Sequence, residues 1–208
     1  MKDNGLLVQY FNANTPADQT LWAKAAKDAA TLKKLGATAV WFPPATKGAA
    51  GKDDRGYAPY DLYDLGEFNQ KGSVGTRYGT KKEYLEAIDA MKAQGINVYA
   101  DIAVRQKLGA DSVEKVTAAD FNAKDIPQMI GNKKIVGALS KFTFPGRKSK
   151  YSKFKWNWNH FAGIDWQQDD FKRRVCELSG MTEMEAEKKY KLSKYDYIIG
   201  SELDLYNQ

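Results

Sequence analysis

The order of strands and helices constrains the fold of this chain more than any other feature. A short apolar run at 5–11 is typical of a strand, and helical spacing of apolar residues begins after Thr20. Gly36 is placed to end this helix, and the run 37–42 predicts a second strand. The predicted apolar positions of the helix are Trp22, Ala26, Ala29, Leu32 and Leu35.

A second unit of the same kind follows. Thr80 and Glu83 form a Thr-x-x-Glu capping box, Gly95 is placed to end the helix, and 96–104 reads as a buried strand. Two such units predict an α/β chain with a parallel sheet and helices outside it. In a barrel of this kind the loops after the strands carry the site. The predicted buried stripe of the second helix is Leu85, Ile88 and Met91.

The loop 56–68 between these units is the strongest candidate for a ligand site. Tyrosine offers a flat apolar face with a hydroxyl at its tip, and a neighbouring carboxylate accepts hydrogen bonds. This combination suits the apolar face of a sugar and its rim of hydroxyl groups. A loop packed on itself is the alternative explanation. The residues concerned are Tyr57, Tyr60, Asp61, Tyr63 and Asp64.

Charge and cysteine content argue against several other classes of protein. The net charge is +6, but acids interrupt the basic clusters and no nucleic-acid motif accompanies them, so a solvated surface is favoured over nucleic-acid binding. Cys176 is the only cysteine, which excludes an internal disulfide and indicates a reducing compartment. The start lacks a signal-peptide pattern, and no stretch is long enough to span a membrane. We therefore expect a cytoplasmic protein.

The pattern changes in the second half, 105–208, which lacks a clear alternation of strands and helices. Irregular strands are predicted for 151–166 and strand-like structure for 195–205. Two segments, 169–178 and 182–192, have helical character. We expect a mainly β and irregular region here.

Several segments together resemble the α-amylases of glycoside hydrolase family 13, in particular the bacterial liquefying and cytosolic kind. They cover most of the chain in family order. The resemblance implies an incomplete (β/α)8 (TIM) barrel at 1–104, with its first three strands and two helices, followed by an irregular, mainly β domain B at 105–208. The matching segments are 4–11, 35–45, 56–68, 70–72, 77–81, 144–147, 151–161 and 195–197.

The same resemblance implies an activity. The family cleaves α-1,4-glucosidic bonds of starch or glycogen with retention, using a carboxylate nucleophile and a second carboxylic acid. In the family these groups lie on later barrel strands, which this chain does not contain. We therefore expect no hydrolysis by the chain alone, and expect a second chain or a missing C-terminal part to complete the barrel. An artificial or truncated chain is a further explanation.

The family motifs also suggest sugar-binding residues. Tyr57 matches the family tyrosine that stacks on the sugar next to the scissile bond, and Asp61 belongs to the same motif. Asp101 matches the first residue of the family segment Asp-x-x-x-Asn-His. Here Arg105 replaces the asparagine that binds structural calcium, and Gln106 replaces the histidine that contacts the sugar. The predicted substrate-binding residues are thus Tyr57, Asp61, Asp101 and Gln106, and no catalytic residue is predicted.

Calcium is the cofactor that the resemblance implies, although its site is altered. Asp196, Glu202 and Asp204 match positions of family ligands, whereas Arg105 and Lys153 replace two others. Calcium prefers six to eight oxygen ligands, so a guanidinium among them repels the ion. We therefore favour loss or weakening of the site, with the acids paired to these two cations, over retained calcium binding.

Two further features leave alternatives open. His160, the only histidine, is expected to pack against its surroundings rather than act as a general base. Trp156, Trp158 and Trp166 either form a small core, which we favour, or line a glucan groove. The functional alternative to an amylase fragment is a non-catalytic, degenerate family member that binds α-glucan or maltooligosaccharide, or assembles with a partner chain.

Overall fold

The computed structural model describes residues 5–121, 129–161, 163–164, 176–177 and 201–202. The chain divides into two compact units. The first contains Met1–Ala103 and Pro145–Ser152, and the second contains Val104–Phe144 and Lys153–Gln208. The segment Pro145–Ser152, which the sequence analysis assigns to the second region, therefore packs with the first unit.

A three-stranded parallel sheet with two helices forms the first unit, as the repeated pattern predicts. The strand order is β1-β2-β5, and Val40 of the middle strand lies opposite Val8 on one side and Val98 on the other. In chain order the elements are β1 (Leu7–Gln9), α1 (Leu21–Lys34), β2 (Ala39–Phe42), β3 (Lys47–Gly48), β4 (Pro59–Asp61), α2 (Lys81–Ala93) and β5 (Asn97–Ala100).

The core of the first unit is centred on Trp22 of α1. Its ring is fully buried, 5.2 Å from the ring of Phe42 in β2 and 4.8 Å from that of Tyr84 in α2. Leu35, predicted to belong to the buried stripe, is instead exposed because α1 ends at Lys34. Gly36 follows with φ +89°, the left-handed conformation that glycine adopts without steric cost.

Helix α2 begins at the predicted capping box. The Thr80 side chain accepts a hydrogen bond from the Glu83 amide, and the Glu83 side chain accepts one from the Thr80 amide at 2.8 Å. The predicted stripe is partly wrong, because Tyr84, Ala87 and Met91 form the buried face while Leu85 is 46% exposed. The ring contact between Tyr84 and Trp22 turns this face toward the core.

Strand β5 is shorter and more exposed than predicted. It spans Asn97–Ala100 rather than 96–104, and its residues are exposed or half-buried. Tyr99 and Ile102 are 58% and 62% exposed. A parallel strand becomes buried when neighbouring elements cover both of its faces. Within the described part of the chain, β5 is an edge strand that pairs with β2 alone.

The described part of the second unit is mainly β. A long hairpin of β7 and β8 joins a sheet of order β8-β7-β10-β9, and β11 pairs with β6. Cys176–Glu177 is a strand, so the predicted helix at 169–178 is wrong there; the rest of that helix and all of 182–192 lie outside the described residues. The strands are β6 (Gln106–Lys107), β7 (Ser112–Phe121), β8 (Met129–Lys141), β9 (Gly163–Ile164), β10 (Cys176–Glu177) and β11 (Ser201–Glu202).

Among the described residues, no helix is both long enough and apolar enough to cross a membrane.

Candidate functional site

Tyr57 and Asp101 form an exposed pair in the first unit. The Tyr57 hydroxyl donates a hydrogen bond of 2.6 Å to Oδ2 of Asp101, and the Tyr57 side chain is 41% exposed. Burial of the hydroxyl end and the Asp101 carboxylate both raise the pKa of Tyr57, so the phenol remains protonated. The pair therefore holds a partly exposed tyrosine ring beside a half-buried carboxylate.

The strands of the sheet place this pair. Asp101 directly follows β5, and its amide donates to the Phe42 carbonyl at the end of β2 over 3.0 Å. Asp101 therefore lies at the carboxyl ends of β2 and β5, where ligand sites of α/β folds are found, and its hydrogen bond places the Tyr57 hydroxyl there.

A glycine permits the turn that leads to Tyr57. Gly56 has φ +90°, and its amide donates to Oδ1 of Asp54 over 2.7 Å. A Cβ at Gly56 would lie 2.7 Å from the carbonyl oxygen of Pro44. The chain can make this approach only without a side chain at Gly56.

The structure gives Asp61 a role that differs from the predicted sugar contact. Its side chain is fully buried, and Oδ2 accepts hydrogen bonds from Gln70 Nε2 at 2.9 Å and Arg147 Nε at 2.7 Å. Oδ1 accepts from the Tyr63 amide at 3.1 Å. Because the Asp61 carboxylate is shielded from solvent and accepts these hydrogen bonds from the protein, it stabilises the loop.

Arg147 is a structural residue of the loop that sequence reasoning missed. It is 2% exposed, and its Nη1 donates to the carbonyls of Lys150 and Ser152 over 2.7 and 2.9 Å. Its guanidinium carbon lies 5.3 Å from the centre of the Tyr63 ring. From the sequence, the motif at 144–147 indicates only a turn. The one sign of a buried ion pair was an arginine, but it lies far along the chain from the carboxylates of the loop.

Asp64 is the second buried acid of the loop. Its Oδ1 accepts hydrogen bonds from the amides of Gly66 and Glu67, both at 2.9 Å, and its Oδ2 accepts from Gln70 Nε2 at 2.9 Å. Lys47 Nζ lies 3.7 Å from the same Oδ2. We call the exposed Tyr57 and Tyr63 and the half-buried Asp101 the rim, and the buried residues Lys47, Asp61, Asp64, Gln70 and Arg147 the base.

A surface ion cluster ties the segment Pro145–Ser152 to the same loop. Glu67 pairs with Lys81 at 2.8 Å and Lys150 at 2.6 Å, and the Tyr151 hydroxyl also donates to it. Hydrogen bonds from Lys150 and then Lys81 lower the pKa of Glu67 to about 2. The cluster therefore adds a charge-dependent attachment at the edge of the base.

The remaining predicted site residues belong to the second unit. Gln106 is half-buried in β6, and Arg105 and Lys153 are exposed. Glu202 is described only as a strand residue opposite Gln106. Asp196 and Asp204 lie outside the described residues. Among the described residues no group of three or more His, Cys, Asp or Glu side chains could hold a metal ion.

His160 packs among aromatic rings, as the structural alternative predicts. Its Nδ1 accepts a hydrogen bond from the Asn157 amide at 3.0 Å, and its ring lies 4.8 Å from that of Phe154 and 5.6 Å from that of Trp156. Trp156 is half-buried, whereas Trp158 is 36% exposed. Trp166 lies outside the described residues.

Parallel strands with helices outside them define an α/β protein, and Tyr57 and Asp101 lie at the end of the sheet where proteins of this class carry ligand sites. Over nearly its full length, the chain is similar to curated α-amylases. It is 46% identical over 203 residues to an alpha-amylase from Geobacillus stearothermophilus and 43% identical to one from Bacillus licheniformis, in each case over 97% of this chain. It is 37% identical to the cytoplasmic alpha-amylase of Escherichia coli K12 over 98% of this chain. The resemblance to family 13 α-amylases seen in the motifs is confirmed.

These relatives are much longer than the chain, which spans 37%, 39% and 42% of their respective lengths. Among solved structures, alternansucrase in complex with isomaltotriose matches 71% of this chain and 14% of its own, with a TM-score of 0.54 and 23% identity. This match supports the fold alone and agrees with a partial TIM-barrel region. No family model matches the chain.

Proposed function

We propose that the chain is the N-terminal part of a family 13 α-amylase that cleaves α-1,4-glucosidic bonds in starch or glycogen. The exposed Tyr57 ring, held by Asp101 at the carboxyl ends of β2 and β5, is the observation that carries the proposal. A ring fixed at its hydroxyl loses little freedom when a sugar stacks on it. Within the rim, Asp101 accepts hydrogen bonds from sugar hydroxyl groups.

The fold proposed for the complete protein is a (β/α)8 barrel. Strands β1, β2 and β5 with helices α1 and α2 are its first elements, and the region 105–208 is domain B. The parallel order of the strands supports this assignment. Gln106 of β6 is proposed as a further sugar contact, taking the place of the family histidine.

The 208 residues alone are proposed to be inactive in hydrolysis. Retaining cleavage needs two carboxyl groups about 5 Å apart across the glycosidic bond. By resemblance, both belong to later barrel strands. Reducing ends released from starch by the purified chain at amylase-like rates would contradict this part of the proposal.

A non-catalytic glucan-binding protein is the second candidate. The replacement of family residues by Arg105 and Gln106 favours it, because both changes fall in a segment that serves substrate and calcium in the family. The reading frame after Gln208 distinguishes the two candidates. A continuing frame with the missing carboxylate segments supports the amylase, and a stop codon supports the binding protein.

Weakened calcium binding is proposed for the second unit. Arg105 and Lys153 bring positive charge to positions where the family has ligands, and electrostatic repulsion then opposes a divalent cation. Asp196, Glu202 and Asp204 are the remaining candidate ligands. Calorimetric titration of the chain with calcium chloride should give little or no heat of binding, and tight binding would overturn this proposal.

Titration with maltohexaose tests the proposed sugar contact. We expect measurable binding to the wild-type chain and at least a tenfold loss with Tyr57→Ala, about 1.4 kcal/mol. Tyr57→Phe keeps the ring and should lose less. Lys27→Ala, an exposed change on α1, is the matched control. Equal affinities for the wild type and Tyr57→Ala would refute the assignment of Tyr57.

A further inference from the structure

Lys47 of β3 is a fully buried lysine in the base, and its surroundings are those of a bound cation. Nζ lies within hydrogen-bonding distance of four backbone carbonyl oxygens, at 2.6 to 3.3 Å. The Asp64 carboxylate lies 3.7 Å away. The side chain is 0% exposed, so protein groups alone solvate its charge. The carbonyls belong to Phe68, Ser73, Val74 and Gly75.

The loop forms a turn that directs these carbonyls inward. The Gln70 amide donates to the Ser73 carbonyl over 3.1 Å, and the Ser73 amide donates back to Gln70 over 3.2 Å. Lys71 and Gly72 at the tip have positive φ values of 51° and 78°. Consecutive carbonyls that converge on one point repel each other unless a cation or several donors lie between them.

The ammonium form fits this site better than the neutral amine. An ammonium group has three donors and no acceptor, whereas a neutral amine would direct a lone pair toward carbonyl oxygens. Burial lowers the pKa of Lys47 from its ordinary value, and the nearby carboxylates of Asp64 and Asp61 offset part of this lowering. The convergence of four carbonyl oxygens and the Asp64 carboxylate on Nζ favours the protonated form.

We propose that Lys47 serves as an internal cation for the loop, with its ammonium group in the place of a bound metal ion, and that it positions the segment 68–75 against β3 and β4. Lys47 connects the two parts directly, since its own backbone pairs with Asp61 in β4 while its Nζ binds the carbonyls of the turn. Lys47 is thus a positioning residue for the strand that follows Tyr57. The proposal does not depend on the chain binding sugar.

Chemical rescue of Lys47→Ala tests this proposal. The substitution removes the atoms of n-propylammonium, so that ion should bind in the vacated site and restore the melting temperature in a saturable manner. Ammonium chloride should rescue in part. Lithium chloride at equal ionic strength, and 1-propanol, which has the same number of heavy atoms without the charge, should give no rescue. Lys52→Ala, which changes an exposed lysine between β3 and β4, is the matched control.

Two results would overturn the proposal that Lys47 acts as an internal cation. The first is equal stabilisation of Lys47→Ala by 1-propanol and by n-propylammonium, which would show that only volume matters. The second is a Lys47→Met variant as stable as the wild type, because methionine fills the stem without charge.

A measurement on the wild type covers the case in which Lys47→Ala does not fold. In ¹⁵N spectra of the lysine side chains, assigned with Lys47→Arg, we expect a sharp ammonium signal for Lys47 at pH 7. A chemical shift typical of a neutral amine would contradict the proposal.

Discussion

The rim and the base, which surround the loop 56–68, contain similar residues but have opposite environments. Tyr57 is 41% exposed, whereas Asp61, four positions later, is fully buried. In the rim, the Asp101 carboxylate accepts a hydrogen bond from the Tyr57 hydroxyl beside solvent. In the base, the buried carboxylates accept hydrogen bonds from Arg147, Gln70 and backbone amides. Burial separates residues available to a ligand from those that hold the loop in place.

The largest expected effect is in the base. Arg147→Ala would leave the buried Asp61 carboxylate without its 2.7 Å cationic partner. Loss of one partner of a buried ion pair costs about 3 to 5 kcal/mol. We expect the free energy of unfolding, measured by urea denaturation, to fall by about 3 kcal/mol. Arg55→Ala, an exposed change in the same loop, should have little effect, and a similar loss in both variants would show that Arg147 has no special role.

Two glycine substitutions distinguish crowding from backbone strain. Gly56 and Gly72 both have positive φ, but a Cβ meets Pro44 at 2.7 Å only at Gly56 and meets nothing within 4 Å at Gly72. We expect Gly72→Ala to lower the free energy of unfolding by about 1 kcal/mol, from backbone strain alone. Gly56→Ala should lower it by about 2 kcal/mol or more, because the close approach to Pro44 adds to the strain. Thermal denaturation of the two variants measures the difference, and equal costs would mean that the approach to Pro44 imposes no constraint.

Acid should weaken the Glu67 cluster. The lowered pKa of about 2, against an ordinary 4.5, means that the folded state binds this proton less tightly than the unfolded chain. The stabilisation is therefore present above pH 4.5 and is lost as the pH falls toward 2. Because the cluster is at the surface, we expect it to contribute only about 1 kcal/mol to the free energy of unfolding.

To test this, the free energy of unfolding of the wild type and of Glu67→Gln is measured by denaturation at pH 7 and pH 3. The stability difference between them should shrink at pH 3. Glu86→Gln, which removes an exposed pair with Lys82 at 3.6 Å, is the control with the same change of charge. An unchanged difference for Glu67→Gln at the two pH values would contradict the assigned pKa.

The smallest effect on stability is expected at the rim. Tyr57→Phe removes one hydrogen bond to Asp101 beside solvent, which should change the free energy of unfolding by about 0.5 kcal/mol. A loss of 3 kcal/mol, comparable to that of Arg147→Ala, would show that the rim stabilises the loop as the base does. Urea denaturation under the conditions used for Arg147→Ala makes the two values comparable.

The sequence predicted the local features of the first unit well. Helical spacing, the Thr80 capping box and Gly36 act within one or two turns of chain, so α1, α2 and the parallel strands could be inferred from short segments. The one-residue error at Leu85 arose because Tyr84 packs on Trp22, a tertiary contact that overrides the apolar pattern.

The base could not be predicted in the same way. Asp61 and Arg147 are 86 positions apart, and no local pattern distinguishes a buried aspartate from an exposed one. Tyr57 and Asp61 therefore looked equally suited to a ligand, although only Tyr57 reaches solvent. Lys47 was missed for a similar reason, because its carbonyl partners belong to backbone and leave no trace in side-chain identity.

The most direct test of the division between rim and base is a residue-resolved titration. Maltohexaose added to the ¹⁵N- and ¹³C-labelled wild-type chain should shift the signals of Tyr57, Tyr63 and Asp101 and leave those of Asp61 and Lys47 nearly unchanged. Shifts confined to the base, or no saturable shifts at the rim, would contradict the account.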